Sequence, residues 1–539
     1  MNLNQLLMWM VYVSSISLLI IGFKRGKTAR GWRFVAVFLI GLTFLLQRVL
    51  PNHGGVISGA IWFLIVLIPQ RGAVRINQLT WQQHFRAARR WAQVLRLLHP
   101  MDSFWQWPRY LQAMELAQMG QLAEAEAHLI PVNSSASLMG VVARCQLFRF
   151  RGDWQAMLDW MTQEIPKETV MSSGSLMTTY LMALGETHRL NEMIAELERF
   201  QPQVANATIK HYWDFSRLIV FAFCGQPELV ARLLQGPLAK IADSAQLFWG
   251  STAVMAAGEP EVAQKEFDQL IASGNGLYAN TLRQRTPQAD INDPLNDDSR
   301  HQLKMWGDAL FSELQDRERQ QGKIGRSPIT LGLIAINLAF FIAEIILGSS
   351  ANELNFGTDT VALYTLGALI PAEVVAGEWW RLLAAAFLHF GPLHLSLNMF
   401  GLALLGPFVE KMLGTWRFLV SYLTTAMGSM LALTLLTITH IFVTPAAVGA
   451  SGAIMGVIGT EAAIQIRILR QHSSKMAATR LRLIGLFVVL QTIFDVMTPQ
   501  VSFMGHVSGL VIGFGMGCLL KLQNQASMSR PIALHAPKS

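Results

Sequence analysis

Nine apolar runs, near 3–22, 33–50 and 55–69 and again near 329–348, 392–412, 416–439, 451–469, 482–498 and 505–521, limit what this chain can become. A helix needs about 20 such residues to cross a bilayer, and helices are one of only two backbone forms that satisfy their own hydrogen bonds there. The expected fold is therefore all-α and polytopic, with about three N-terminal spans and six C-terminal ones. Of the 539 residues, 52% are hydrophobic and only 14% charged, a balance that suits a membrane protein better than a soluble enzyme.

The connecting loops predict orientation, because Lys and Arg concentrate in loops kept in the cytoplasm. Lys24, Arg25, Lys27, Arg30 and Arg33 follow the first run, and Arg71, Arg75, Arg86, Arg89 and Arg90 follow the third. The intervening QRVLPNHGG has one Arg. In the C-terminal half, 348–380, 440–450 and 499–505 carry no Lys or Arg, whereas Lys411, Arg417, Arg467, Arg470, Lys475, Arg480 and Arg482 mark the alternate loops. The N-terminus is expected outside, with the long polar segment and the C-terminus in the cytoplasm. No charge precedes the first run, which favours an uncleaved anchor and suits a bacterial inner (plasma) membrane. The net charge of +8 lies beside the spans, which argues against nucleic acid as a partner. Three scattered cysteines form neither a disulfide framework nor a metal site.

Residues 83–270 hold degenerate helical pairs, among them AQMGQLAEAEAHL, FRFRGDWQAMLDW and MAAGEPEVAQKEF. Their turns fall near Gly120, Gly152, Leu190, Gly225 and Gly258, a period of about 32 to 38 residues. This resembles a tetratricopeptide-type solenoid, with a plain helical bundle as the alternative. A solenoid offers a concave surface for protein partners and no chemistry of its own. The domains expected are 1–70 (spans), 75–271 (helical repeats), 272–325 (linker and charged helix), 326–522 (membrane core) and 523–539 (cytoplasmic tail).

Polar side chains inside a bilayer are costly and are functional candidates. The C-terminal spans supply His389, His394 and Asn398 in FLHFGPLHLSLNMF, Ser451 in VGASGAIMGVIG, and His506 in FMGHVSGLVIGFGMG. Each alone has an ordinary reading: a serine among glycines packs helices, and a histidine serves as a structural hydrogen-bonder. His389 and His394, five apart, do not share the helix face a metal would need, and no metal or cofactor is expected. By loop parity, however, His394, Asn398, Ser451 and His506 share one shallow depth at the outer face on three helices. His394 and Asn398 lie on one face. Gly452 and Gly456, with Gly505, Gly509, Gly513 and Gly517, form small-xxx-small series that let two backbones approach closely.

Together these residues resemble the rhomboid family of intramembrane serine proteases. The resemblance covers 329–521, with Gly449-Ala450-Ser451-Gly452 as its G-x-S-G, His389, His394 and Asn398 as its H-x4-H-x3-N, and His506 with Gly509 and Gly513 on its final span. Trp380-Arg381 matches its first-loop pair, and Glu410 to Gly414 its E-x-x-x-G. Met455 stands where several members carry a tyrosine.

The resemblance implies Ser451 as nucleophile and His506 as general base, a dyad with no carboxylate expected at their depth. It also implies an oxyanion hole made of the Ser451 backbone N–H, His394 and Asn398. His389, Gly449, Gly452, Trp380, Arg381 and Glu410 would be supporting residues. Transmembrane proteins would be the substrates, and the helical domain could bind cytoplasmic proteins. A catalytically inactive rhomboid-like binder or scaffold is the alternative.

Overall fold

The computed structural model describes residues 3–24, 29–99, 102–133, 137–200, 210–285, 295–320, 327–348, 359–472, 475–498 and 502–523. The tail after 523, and 286–294 and 321–326 of the expected linker, lie outside these. Among the described residues the chain is all-α apart from one isolated bridge, Leu369–Ala447. It divides into two compact units, Met1–Leu310 and Phe311–Ser539. Seven described helices are long and apolar enough to cross a membrane, and Leu7–Phe23 and Phe503–Leu519 are shorter apolar helices.

In the first unit, α1 (Leu3–Lys24), α2 (Arg30–Val49) and α3 (Gly54–Trp62) pack together. Asn4 staples them: its Nδ2 donates to the Pro51 carbonyl at 2.9 Å, and its Oδ1 accepts from Gly55 N at 2.6 Å and Val56 N at 3.1 Å. Those N–H groups have no acceptor within their own helix. A π-turn at Phe63–Leu67 then leads into α4 (Ile68–Trp81). The wider turn accommodates Pro69, which lacks an N–H. The third span therefore runs unbroken over Gly54–Trp81 into the helical domain, and α5 (Phe85–Leu98) packs back along it.

Five helical hairpins follow among the described residues: α6 (Trp107–Gln118) with α7 (Leu122–Leu129), α8 (Leu138–Arg151) with α9 (Trp154–Glu164), and, after the short α10 (Lys167–Ser172), α11 (Gly174–Glu186) with α12 (Leu190–Phe200), α13 (Lys210–Phe223) with α14 (Pro227–Gln235), and α15 (Asp243–Ala256) with α16 (Pro260–Ala272). Each turn repeats one device. Gly120, Gly152, His188, Gly225 and Gly258 all have positive φ. The next residue's N–H returns to a carbonyl five positions back: Gln121 to Leu116, Asp153 to Phe148, Arg189 to Leu184, Gln226 to Phe221, Glu259 to Val254. This is the Schellman closure of a helix. The third turn pivots on His188, two residues before the Leu190 expected.

Residues 276–284, read as linker, form α17 (Gly276–Gln284), whose Leu277, Tyr278, Ala279 and Leu282 are buried. This helix folds back onto α6 and α8. Asn280 Nδ2 donates to the Phe150 carbonyl, Arg149 donates to the Leu277 carbonyl at 3.2 Å, and Tyr278 OH meets Gln83 at 2.7 Å. Arg285 continues to Glu186 on α11 and Thr252 on α15, each at 3.0 Å. Residues 276–285 thus bridge α6, α8, α11 and α15. The first half of α18 (Asp297–Gln320) packs through Trp306 on Trp213 and past Leu229.

The second unit contains the six expected core spans: α19 (Pro328–Leu347), α23 (Gly391–Leu413), α24 (Thr415–Ile438), α25 (Ser451–His472), α26 (Lys475–Met497) and α27 (Phe503–Leu519). Short helices α20 (Thr360–Leu366), α21 (Pro371–Val375) and α22 (Arg381–Ala384) lie between the first two. Of the long spans, α25 is the most enclosed and α26 the least. The glycine series does what its spacing predicts. A Cβ on Gly509 would lie 2.0 Å from the Gly452 carbonyl oxygen, and one on Gly513 1.9 Å from that of Gly456. Only bare backbone permits this approach of α27 to α25.

Candidate active site

The loop before Ser451 is held by a relay of backbone bonds. Arg381 is buried, and its Nη1 donates to the carbonyls of Tyr364 (2.9 Å) and Ala368 (3.0 Å). The neighbouring Trp380 ring covers Gly367, whose φ is +104°. These contacts fix the turn leading to Leu369, which exchanges two 3.0 Å hydrogen bonds with Ala447. Gly449 N then donates to the Ala385 carbonyl at 2.9 Å, and α25 starts at Ser451. The Trp380-Arg381 pair thereby acts at a distance on the position of Ser451. As the first residue of α25, Ser451 has an N–H without an acceptor inside its helix.

His394 stands over this loop. A Cβ built on Gly449 would be 3.0 Å from His394 Nε2 and 3.7 Å from Ser451 Oγ, so both side chains border one small volume. Phe390 N donates to His394 Nδ1 at 3.3 Å. An Nδ1 that accepts leaves the ring proton on Nε2, facing the Ser451 side. One turn on, Asn398 is buried and its Nδ2 has no hydrogen-bond partner among the described residues. A buried amide donor left unmet costs stability unless something visits it.

His506 has the opposite tautomer. It is buried on α27, and its Nδ1 lies 2.7 Å from Asp495 Oδ2. An ionised carboxylate can only accept, so the proton sits on Nδ1 and Nε2 is free to take another. The turns bearing Ser451 and His506 touch: a Cβ on Gly452 would be 3.5 Å from the Gly505 carbonyl. Asp495 overturns the expectation that no carboxylate shares this depth. It stands near the C-terminal end of α26, where a lone charge passes for a span boundary. Its sequence signal was a formal charge within the run 482–498. Glu344 and Glu461 are further buried carboxylates in spans not singled out from the sequence.

The remaining expected residues lie around this centre. His389 is fully buried, its N–H donating to Glu344 Oε1 at 2.8 Å and its ring lying 5.1 Å from that of His394. Glu410 lies apart, at the N-terminus of α19, accepting from Ile329 N (3.0 Å), Thr330 N (2.9 Å) and Thr330 Oγ1 (2.7 Å). It caps a helix rather than joining the centre. Among the described residues no group of His, Cys, Asp and Glu is placed to hold a metal.

Comparison with known proteins identifies this second unit. The Rhomboid domain family matches residues 376–523. Rhomboid protease GluP of Bacillus subtilis (strain 168) is 31% identical over 211 residues, 38% of this chain and 37% of the relative. RHOMBOID-like protein 6, mitochondrial, of Arabidopsis thaliana is 33% identical over 171 residues, 32% and 53% respectively. Putative rhomboid protease YdcA of Bacillus subtilis (strain 168) is 34% identical over 160 residues, 29% of this chain and 71% of the relative. The chain thus spans well under two thirds of the first two relatives and most of the third. With its apolar spans, this makes it an integral, multi-pass membrane protein of the rhomboid family.

Proposed function

We propose that this protein is an intramembrane serine endopeptidase that hydrolyses peptide bonds in or near transmembrane helices of other membrane proteins. The observation that carries the reading is the pair of Nδ1 contacts beside Ser451: His394 Nδ1 takes the Phe390 N–H, while His506 Nδ1 faces the Asp495 carboxylate, an arrangement that assigns a donor to His394 Nε2 and an acceptor to His506 Nε2. Acyl transfer needs one of each. His506 Nε2 takes the Ser451 proton as Oγ attacks the scissile carbonyl. His394 Nε2–H, Asn398 Nδ2 and the Ser451 N–H receive the oxyanion. His389 braces the segment entering α23, Trp380 and Arg381 set the loop before Ser451, and Glu410 caps α19. Gly449 and Gly452 leave room for these approaches. We assign this activity to residues 326–522.

By loop charge, the site opens to the outer face of a bacterial plasma membrane, and the helical domain lies in the cytoplasm. Cytoplasmic protein partners are assigned to the helical domain.

The test is cleavage of a transmembrane substrate by the purified protein, with labelling by a serine-directed fluorophosphonate. Ser451→Ala should remove both while leaving insertion and Tm unchanged. Cleavage at a near wild-type rate by that variant would refute the nucleophile. Absence of labelling and cleavage in the folded wild type would support an inactive, substrate-capturing member.

A further inference from the structure

We infer that Asp495 is a positioning residue for catalysis, converting the expected Ser–His pair into a three-residue relay; this rests on the Ser451–His506 assignment proposed above. Both carboxylate oxygens of Asp495 are committed. Oδ2 meets His506 Nδ1 at 2.7 Å, and Oδ1 accepts from Gln491 Nε2 at 2.7 Å. The Asp495 side chain is only 3% exposed and that of His506 8%. Gln491 lies one turn earlier on α26, so the carboxylate is aimed from its own helix before it meets the histidine. A charge buried in a span is costly unless matched, and a packing role alone would be served by an amide of the same shape. A carboxylate adds two things: it fixes the Nδ1–H tautomer, and it balances the imidazolium once His506 has taken a proton.

Water is the one reactant needed besides the peptide. As Ser451 Oγ bonds to the carbonyl carbon, its proton moves to His506 Nε2, and the carbonyl π electrons move onto oxygen. His506 then carries protons on both nitrogens beside the Asp495 carboxylate. When the C–N bond breaks, the Nε2 proton leaves with the amine. Water repeats the cycle on the acyl-enzyme, releasing the carboxylic acid and restoring Ser451. Asp495 itself is not protonated in this scheme.

The position of Asp495 adds a consequence. α26 is the least enclosed of the long spans, so the group that orients the base stands on the element least held by the rest of the core.

The experiment uses the full chain in detergent or nanodiscs, comparing wild type, Ser451→Ala, Asp495→Asn and Asp495→Ala. We expect Asp495→Asn to lower kcat and the rate of fluorophosphonate labelling by roughly 100-fold or more, with KM within about threefold and Tm unchanged. Asp495→Ala should lose at least as much. Wild-type kcat and labelling rate in Asp495→Asn, with Ser451→Ala inactive, would overturn the proposal and leave the dyad standing. A kcat loss that follows a fall in Tm and disappears on cooling would overturn it too, assigning Asp495 to folding. An active Ser451→Ala would instead remove the underlying assignment.

Discussion

Gly449 and His394 are packed so closely that a Cβ on the glycine would lie 2.7 Å from His394 Cε1, and the glycine's φ of +128° is one that side-chain-bearing residues rarely adopt. The two constraints coincide two residues before Ser451, where the helix begins. Gly449→Ala should therefore displace His394 and tilt the loop together. Loss of one oxyanion donor costs roughly 10²–10³ in rate, and we expect at least that fall in kcat. Gly485→Ala on α26, where a Cβ would meet nothing within 4 Å, is the matched control and should cleave normally. Equal rates for the two variants would show that the close approach carries no catalytic weight.

Asn398 separates catalysis from stability. Its Nδ2 is buried without a partner among the described residues, so the amide contributes little to holding the fold. Removing an unmet donor is neutral or stabilising, whereas removing an oxyanion donor is expensive. Asn398→Ala should keep or raise Tm while kcat falls by roughly 10²–10³. Residual activity should remain, because the His394 and Ser451 donors are still present. A Tm drop with unchanged kcat would reverse the assignment.

Gly509 should behave in the opposite way. Its missing side chain leaves room for the Gly452 carbonyl, which a Cβ would approach to 2.0 Å. Backbone cannot step aside as a flexible side chain can, so Gly509→Ala must push α27 from α25. Overpacking of this kind typically costs about 1–3 kcal/mol. Thermal unfolding in detergent should shift down markedly, and cleavage should be lost with the fold. Gly332→Ala on α19, with nothing within 4 Å of its Cβ, should leave both unchanged.

What could be read in advance follows from what periodicity records. The core spans and the glycine seam were legible because each is a local pattern within one run. His394 and Asn398 were legible as polar groups four apart on a helix that is otherwise apolar. Asp495 was not, because its meaning depends on a partner 11 residues away across a turn, which no helical period links to it. The same reason hid α17. Leu277, Tyr278 and Leu282 form too short an apolar set to announce a helix, and their burial comes from α6 and α8, more than a hundred residues earlier. The tautomers of His394 and His506 were equally out of reach, since each is set by a group that only folding brings to its Nδ1.

Orientation rests on loop charge, and the helical domain offers a direct test of it. Glu261 is exposed on α16 and accepts a cysteine without disturbing the core. The native background is quiet once Cys224 and Cys518 are replaced by alanine. Cys145 is buried, and burial pushes its thiol up to about 12. The thiolate is the reactive form, so near pH 7.5 this cysteine stays protonated and unlabelled; only well above that pH would it begin to react. Glu261→Cys should resist a membrane-impermeant maleimide in intact cells and react once the membrane is permeabilised. Labelling of intact cells at that position would put the helical domain outside, and with it reverse the inferred direction of every span in the first unit.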